Sequence, residues 1–134
     1  MDGILSNIRL LIVDDDKALR DALVGVFKTA GLQASVFSSA EELLDSPDLQ
    51  TASCLILDVR LPGMSGIELQ RHLIREMSDP VPIIFLMAHG DAEIRDVVMN
   101  AGALAYLTKP VRRGLLLQMV CNAIVTRGGL ARCE

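Results

Sequence analysis

Residues 54–63 read CLILDVRLPG, an apolar run that ends at one carboxylate, Asp58, and continues into a Pro-Gly turn. A short strand that is apolar throughout is typical of a parallel sheet with helices on both faces. A second run, residues 8–13, ends in the same way at three consecutive carboxylates that begin with Asp14. Both runs therefore predict buried parallel strands that carry carboxylates at their carboxyl ends.

The rest of the chain alternates between strand-like and helix-like segments. Apolar residues recur every three or four positions after each strand, which indicates amphipathic helices, and Gly or Pro ends most segments. The predicted strands are 8–13, 34–37, 54–57, 83–87 and 104–107, with helices between them and a last helix over 115–125. Five βα units predict an α/β fold with a doubly wound five-stranded parallel sheet of order 2-1-3-4-5, the flavodoxin-like arrangement.

Polar residues mark the predicted helix starts. Asp16 and Asp91 are predicted N-caps, because an Asp side chain accepts hydrogen bonds from the first free amides of a helix. The Ser pair at 38–39 and the Glu pair at 41–42 form a predicted capping box for a short helix that ends near Pro47. The helix after Asp91 is predicted to bury Ile94, Val97, Val98 and Ala101.

The composition predicts one globular domain without nucleic-acid or membrane contacts. The chain has 134 residues, 51% of them hydrophobic, and a formal net charge of -4. Its Lys and Arg are dispersed, whereas binding to a phosphate backbone needs clustered cations. No apolar run reaches the roughly 18 residues of a membrane span, and residues 1–9 lack the pattern of a secretory signal, so we expect a cytoplasmic protein.

The cysteines predict neither a disulfide framework nor a zinc site. The chain has three, Cys54, Cys121 and Cys133, with no CxxC pair. We expect reduced thiols, with Cys54 and Cys121 as small core residues and Cys133 exposed.

The predicted strand order brings distant charged groups together. The first and third strands are neighbours, so Asp14, Asp15 and Asp58 lie at the topological switch point, where ligands bind in such sheets. Two ionised carboxylates about 4 Å apart repel by roughly 4 kcal/mol at an effective dielectric of 20, so the cluster needs a cation. Carboxylate oxygens are ligands that Mg²⁺ prefers. With Lys109 after the fifth strand, these residues predict a phosphoryl site built around Mg²⁺.

Each part of this site has another interpretation when it stands alone. The carboxylates after the first strand fit a turn and a helix cap. Asp58 fits a turn residue ahead of Pro62 and Gly63, and a Lys after a buried strand can simply be solvated. The combination of the segments, rather than any one of them, predicts the site.

Three segments together resemble the receiver domain of bacterial response regulators. They are the acidic cluster after the first strand, LILDVRLPGMSGIEL at residues 55–69, and YLTKP at residues 106–110. The resemblance covers about residues 8–126, and AHGD at residues 88–91 is similar to receivers of the LuxR/FixJ type. We expect one receiver domain over residues 1–134, either standing alone or separated from a C-terminal output domain.

The resemblance implies a phosphoacceptor site at Asp58. This carboxylate would accept a phosphoryl group from a sensor histidine kinase. The implied Mg²⁺ ligands are Asp15, Asp58 and the backbone carbonyl of Arg60, while Asp14 acts through a water molecule. A receiver of this kind is a phosphoacceptor with self-catalysed transfer and autodephosphorylation, not a conventional enzyme.

The resemblance also assigns the groups around the transferred phosphoryl group. Lys109 and the backbone amide of Ala88 would contact its oxygens. Pro110 stands at a position that is usually preceded by a cis peptide bond. His89 and Arg60 border the path of the hydrolytic water in the family, although a loop His is more often only solvated.

Met87 departs from the family pattern, in which the fourth strand ends in Ser or Thr. A thioether cannot donate the hydrogen bond of that switch hydroxyl. Tyr106 matches the family's switch aromatic, and its other interpretation is a strand tyrosine with a solvated hydroxyl. Met87 is predicted either to block rotation of Tyr106 or to hold one of its rotamers. The fourth helix, fifth strand and fifth helix form the implied output and homodimer surface.

Two other functions are compatible with these residues. A pseudo-receiver, which binds partners without being phosphorylated, is favoured by Met87 and opposed by the intact acidic cluster and Lys109. A phosphatase with an aspartyl nucleophile would need an acid-base Asp two residues after Asp58, where the chain has Arg60.

Overall fold

The computed structural model describes residues 8–128, which form a five-stranded sheet with helices on both faces. The strands are β1 (Arg9–Val13), β2 (Gln33–Phe37), β3 (Cys54–Asp58), β4 (Ile83–Met87) and β5 (Ala105–Thr108). Neighbouring strands are parallel throughout, in the order β2-β1-β3-β4-β5. The predicted doubly wound order is confirmed, and each predicted strand agrees with the observed one to within one residue at either end.

The helices are α1 (Lys17–Thr29), α2 (Ala40–Leu44), α3 (Gly66–Glu76), α4 (Ala92–Asn100) and α5 (Arg113–Gly128), with an unpredicted 3-10 helix over Pro47–Thr51. Alternate residues of a strand point to opposite faces of the sheet. Leu10 and Ile12 of β1 therefore pack with α1 and α5, whereas Leu11 and Val13 pack with α2, α3 and α4. Within residues 8–128, no helix has the length and apolar character needed to cross a membrane.

Side-chain caps hold the starts of three helices. The Asp16 carboxylate accepts hydrogen bonds from two amides in the first turn of α1, as predicted. Ser65 begins a complete capping box at α3. At α2, Ser39 caps the amide of Glu42, but the Glu42 carboxylate returns to the amide of Ser38. The predicted capping box at α2 therefore differs by one residue, because the Glu42 carboxylate accepts from the amide before the N-cap residue.

Helix α4 differs from its prediction in two respects. Asp91 stands at its N-cap position, but the Asp91 side chain makes no hydrogen bond to the helix. Val98 is buried and Ile94 is half-buried, whereas Val97 is 43% exposed and Ala101 is also exposed. Only a narrow stripe of α4 meets the core, and successive helical residues are turned by about 100° from each other. Val97 therefore stays at the surface beside a buried neighbour.

Gln70 of α3 is a polar residue inside the core. Its Nε2 atom donates a hydrogen bond of 3.0 Å to the carbonyl oxygen of Val98. Its Oε1 atom is buried and has no hydrogen-bond partner among the described residues. The Gln70 amide thus ties the C-terminal part of α4 to α3.

The cysteines differ in burial. Cys54 lies in the core, as predicted, and burial raises the pKa of its thiol to about 12. Cys121 is half-buried on α5 rather than a core residue. Cys133 and both ends of the predicted domain over residues 1–134 lie outside the described residues.

Candidate functional site

Three carboxylates meet at the carboxyl ends of the two central strands. Asp14 follows β1 and Asp58 ends β3, and these strands pair in parallel, with Val13 beside Leu57. Asp14, Asp15 and Asp58 each place a carboxylate oxygen within 4.8 Å of the others. Asp14 is fully buried and Asp58 is 6% exposed, whereas Asp15 is exposed. The sheet therefore brings together the cluster that the sequence predicts.

Asp14 is the carboxylate with the most restricted surroundings. Its Oδ1 atom accepts a hydrogen bond from the amide of Asp16 at 2.9 Å. Its Oδ2 atom lies 3.1 Å from Lys109 Nζ, but no donor among the described residues is aligned for a hydrogen bond to it. Burial raises the pKa of Asp14, the hydrogen bond from Asp16 opposes this rise, and the charge of Asp58 adds to it. A buried carboxylate oxygen without an aligned donor fits an oxygen-binding cation such as Mg²⁺.

Lys109 brings an ammonium group into the acidic cluster from the end of β5. Its Nζ atom donates a hydrogen bond of 2.9 Å to Asp58 Oδ2. The Lys109 amide donates to the carbonyl oxygen of Met87 at 2.7 Å, and the Lys109–Pro110 peptide bond is cis. Burial lowers the pKa of Lys109, but the hydrogen bond to Asp58 and the negative charges of Asp58 and Asp14 outweigh it, so the pKa is raised. Lys109 is therefore a fixed positive charge at neutral pH.

The loop between β3 and α3 is held against the site at several points. The amide of Arg60 donates to Asp58 Oδ1 at 2.9 Å. Glu41 of α2 accepts a hydrogen bond of 2.8 Å from the amide of Met64, and this bond lowers the pKa of Glu41. Gly63 next to it has a φ of +74°, which L side chains rarely adopt. This brace keeps the backbone around Arg60 close to Asp58.

Asp91 joins the mouth of the site instead of capping its own helix. Its Oδ1 atom accepts a hydrogen bond of 2.8 Å from Arg60 Nη2, and its Oδ2 atom accepts one of 3.2 Å from the amide of Ala88. The hydrogen bond from Arg60 is the main reason that the pKa of Asp91 is lowered. The sequence pattern indicated separate roles for Ala88 and Arg60 and gave no prediction that Asp91 links them. The three-residue offset from Ala88 to Asp91 in AHGD was the available signal.

Met87 and Tyr106 lie on the same face of the sheet. Tyr106 is opposite Phe85, and Met87 is opposite Thr108. Met87 is 3% exposed and belongs to the core cluster against which Tyr106 packs. Tyr106 is half-buried, and the guanidinium carbon of Arg95 lies 5.6 Å from its ring centroid. Tyr106 is thus an aromatic residue that packs against this core cluster and against Arg95 of α4. His89 is exposed on the loop after β4.

Known proteins share this fold and sequence pattern. The family model described as "Response regulator receiver domain" matches residues 10–121. Nodulation protein W of Bradyrhizobium diazoefficiens is 41% identical over 114 residues, which cover 85% of this chain and 50% of that protein. The chain therefore spans about half of the length of this relative.

Solved structures give the same result. A response regulator receiver domain protein from Clostridium thermocellum superposes with a TM-score of 0.82 at 25% identity, covering 90% of this chain and 97% of that one. Full-length FixJ from B. japonicum superposes with a TM-score of 0.77 at 35% identity, covering 87% of this chain and 57% of that one.

The chain belongs to the response regulator receiver family, and its relatives include regulators of the FixJ type. Receiver domains of this family work in two-component systems by phosphorylation-based signalling, bind Mg²⁺ at an acidic pocket and receive phosphoryl groups from histidine kinases. They are in general not conventional enzymes. The predicted resemblance is confirmed.

Proposed function

We propose that Asp58 accepts a phosphoryl group from a phosphohistidine of a sensor histidine kinase. The observation that carries this proposal is the position of Lys109, whose Nζ atom lies 2.9 Å from Asp58 Oδ2 and 3.1 Å from Asp14 Oδ2. The ammonium group stands where negative charge gathers when a phosphoryl group is transferred to Asp58. Positioning and charge neutralisation are the main contributions of a protein to phosphoryl transfer.

The transfer is a displacement at phosphorus. A carboxylate oxygen of Asp58 forms the new bond to phosphorus while the phosphorus–nitrogen bond of the phosphohistidine breaks, and the histidine nitrogen takes the electron pair. Lys109 stays protonated and binds a phosphoryl oxygen as a point charge. The amide of Ala88 donates a second hydrogen bond to the product. Hydrolysis of the acyl phosphate, along a path bordered by Arg60 and His89, resets the domain.

The same cluster fits a magnesium ion. Asp15, Asp58 and the backbone carbonyl of Arg60 would hold Mg²⁺, and Asp14 would contact it through a water molecule. The donor set consists of oxygen atoms, and the buried Asp14 Oδ2 atom lacks an aligned donor within residues 8–128. When bound, Mg²⁺ supplies further neutralisation of the charge on the phosphoryl oxygens. The cluster carries two buried carboxylates beside a single ammonium, so a second cation suits it.

The surface formed by α4, β5 and α5 is the proposed output and homodimer surface. A groove of about 530 Å³ runs along it and is lined by apolar residues that include Leu104, Tyr106, Leu115 and Met119. Leu104 and Leu115 are each 37% exposed. We propose that this receiver acts in the cytoplasm as part of a transcription regulator, without contacting nucleic acid itself. Its Lys and Arg are dispersed, which argues against a binding surface for a phosphate backbone.

Intact-mass analysis after incubation with Mg²⁺ and acetyl phosphate tests the proposed phosphoacceptor. The native chain should gain the mass of one phosphoryl group, and Asp58→Asn, which keeps the size of the side chain, should gain none. A gain that survives in Asp58→Asn would move the phosphoacceptor elsewhere. A native chain that neither acetyl phosphate nor a cognate kinase labels would overturn the proposal.

The second candidate function is a pseudo-receiver, which the burial of Met87 beside Tyr106 favours. The thioether fills the end of β4 without offering a hydroxyl to a phosphoryl group. Phosphorylation of Asp58 would then not reach the surface that carries Tyr106. The phosphatase alternative has no such support, because Arg60 stands where its acid-base Asp would be and is paired with Asp91.

We expect Met87→Thr to increase the response of Tyr106 to a phosphoryl analogue. Tyr106 is the single tyrosine and the chain has no tryptophan, so intrinsic fluorescence reports on this residue. A Thr hydroxyl can donate to the analogue and leaves space beside the Tyr106 ring. The measurement is the change in fluorescence when beryllofluoride is added with Mg²⁺. The expected result is a change at least about twofold larger than in the native chain, the size of a modest population shift.

Met87→Thr removes buried apolar volume and should cost about 1–3 kcal/mol of stability. Urea unfolding therefore accompanies the fluorescence measurement, to confirm that the variant is folded. Equal responses of the native chain and a folded Met87→Thr would show that Met87 does not restrain Tyr106.

A further inference from the structure

We propose that the Asp91 carboxylate occupies the phosphoryl-binding amide of Ala88 in the unphosphorylated protein and is expelled when Asp58 is phosphorylated. This inference rests on the proposed function of Asp58. Asp91 is then a positioning residue that competes with the phosphoryl group for a hydrogen-bond donor of the site. The three residues Asp91, Arg60 and Ala88 are called the latch below.

The geometry of the latch is that of a bound anion. Both oxygens of Asp91 are engaged, one by Arg60 Nη2 at 2.8 Å and the other by the amide of Ala88 at 3.2 Å. The side chain of Asp91 is only 8% exposed, whereas that of Arg60 is 67% exposed. A carboxylate whose two oxygens accept from separate segments imitates a bound oxyanion. The latch is therefore closed by the same kind of hydrogen bonds that a phosphoryl group would make.

Both donors to Asp91 belong to segments that flank Asp58. The amide of Arg60 donates to Asp58 Oδ1 at 2.9 Å. Ala88 follows the end of β4, which lies beside Asp58 in the sheet, with Asp58 opposite Leu86. A phosphoryl group on Asp58 therefore forms beside the groups that Asp91 holds. It carries nearly two negative charges at neutral pH and repels a carboxylate that binds the same donors.

The side chain of Asp91 does not cap its own helix. The N-cap side chains of α1, α2 and α3 each accept hydrogen bonds from amides of their own helix. Asp91 occupies the N-cap position of α4, yet its side chain makes no such bond. Since Asp is a strong N-cap residue, the start of α4 gives up a local interaction while the latch is closed. Expulsion from the phosphoryl site leaves Asp91 free to cap α4.

The latch makes a graded prediction for binding of a phosphoryl analogue. Asp91→Asn removes the negative charge and keeps one acceptor, whereas Asp91→Ala removes both oxygens. Beryllofluoride with Mg²⁺ should therefore bind roughly threefold to tenfold more tightly to Asp91→Asn than to the native chain, and more tightly still to Asp91→Ala, as expected for the loss of one competing charge-assisted hydrogen bond. Phosphorylation by acetyl phosphate should accelerate in the same order.

Glu93→Gln is the matched control. Glu93 lies in the first turn of α4 and is exposed, so this change removes one negative charge nearby without touching the latch. A long-range charge effect would strengthen analogue binding by Glu93→Gln as much as by Asp91→Asn. The latch predicts a gain for the Asp91 variants alone. Damage to the fold would lower the affinity rather than raise it, so a gain is not a general structural effect.

Affinity is measured by titration of beryllofluoride against Tyr106 fluorescence and against the urea midpoint. Tighter binding in the order native, Asp91→Asn, Asp91→Ala supports the latch. Equal or lower affinity of the Asp91 variants would overturn the latch. If the native chain still binds the analogue, the proposed function is unaffected by that result. If neither the native chain nor any variant binds the analogue or gains a phosphoryl group, both the latch and the proposed function are wrong.

Discussion

We expect Gly66→Ala to lower the free energy of unfolding by roughly 2–4 kcal/mol, although Ala has a higher helix propensity than Gly. A Cβ atom at residue 66 would meet the carbonyl oxygen of Asp58 and lie 2.9 Å from the Cα atom of Val59. Both are backbone atoms, so no change of side-chain rotamer relieves the clash. Either the start of α3 moves away from β3, or the backbone that carries Asp58 shifts. The substitution should therefore also reduce phosphorylation of Asp58.

Gly25→Ala provides a control with the opposite sign. Gly25 is exposed in the middle of α1, and an added Cβ would have no atom within 4 Å apart from its chain neighbours and the nearby backbone of its own helix. The same substitution should therefore stabilise the protein by about 0.5–1 kcal/mol, because Ala loses less backbone entropy than Gly. Urea unfolding of both variants measures the two effects. A Gly66→Ala variant as stable as Gly25→Ala would contradict the close approach of α3 to β3.

Lys109→Met is the second change with a large expected effect. It keeps a long side chain but removes the only ammonium group that the described residues place between Asp14 and Asp58. We expect a loss of stability of about 1–3 kcal/mol, less than for a fully buried ion pair, since the Lys109 side chain is 31% exposed. The variant should also lose phosphorylation, because the ammonium group that is proposed to bind a phosphoryl oxygen would be absent.

The effect of Lys109→Met should depend on pH in a defined direction. Burial already raises the pKa of Asp14 above 3.8 in the native chain, and removal of Lys109 raises it further. A carboxyl group with a raised pKa in the folded state binds its proton more tightly there than in the unfolded chain. Its ionisation therefore costs stability as the pH rises through the interval above 3.8. The variant should differ least from the native chain near pH 4 and most near neutral pH.

Urea unfolding of Lys109→Met at acidic and neutral pH, with and without Mg²⁺, is the measurement. If the proposed metal site is correct, Mg²⁺ should stabilise this variant more than the native chain, because the ion replaces the missing charge. Lys17→Met is the control, since Lys17 pairs with Asp21 on the surface and its side chain is 77% exposed. Exposed pairs of this kind often contribute nothing measurable. Equal losses in the two variants would mean that Lys109 is not a buried counter-charge.

The sheet could be predicted because its signals are local. The run Ile83–Met87 is apolar at every position, lies between Pro82 and the polar loop after it, and is β4 without any change of bounds. The order of the strands followed from the handedness of βα units rather than from any single residue. Once the order was fixed, the meeting of Asp14 with Asp58 followed from the register of β1 and β3.

The contacts at the mouth of the site could not be predicted in this way. Arg60 and Asp91 are separated by 31 positions, and Glu41 and Met64 by 23. Each pair includes a residue of a loop, whose position no periodic pattern in the chain determines. The N-cap preference of Asp placed Asp91 correctly at the start of α4. Its side chain was predicted to accept from the helix amides, but it accepts from Arg60 and Ala88 instead.

The exposed residues of α4 show that hydrophobic periodicity alone does not predict burial. Hydrophobic periodicity predicted that Val97 and Ala101 would be buried, yet both are exposed. A periodic pattern identifies the apolar residues of a helix but does not say how much of its surface the sheet covers.

The hydrogen bond from Gln70 gives α4 a fixed pivot. It holds the carbonyl oxygen of Val98 near the C-terminal end of the helix, while Asp91 at the N-terminal end is held by its hydrogen bonds from Arg60 and Ala88. A rigid helix anchored at one end turns about the anchor, so its displacement grows toward the other end. Ala92 lies six residues from Val98, or about 9 Å along the helix axis. If the latch opens on phosphorylation, the end of α4 at the mouth of the site is therefore the end that moves furthest.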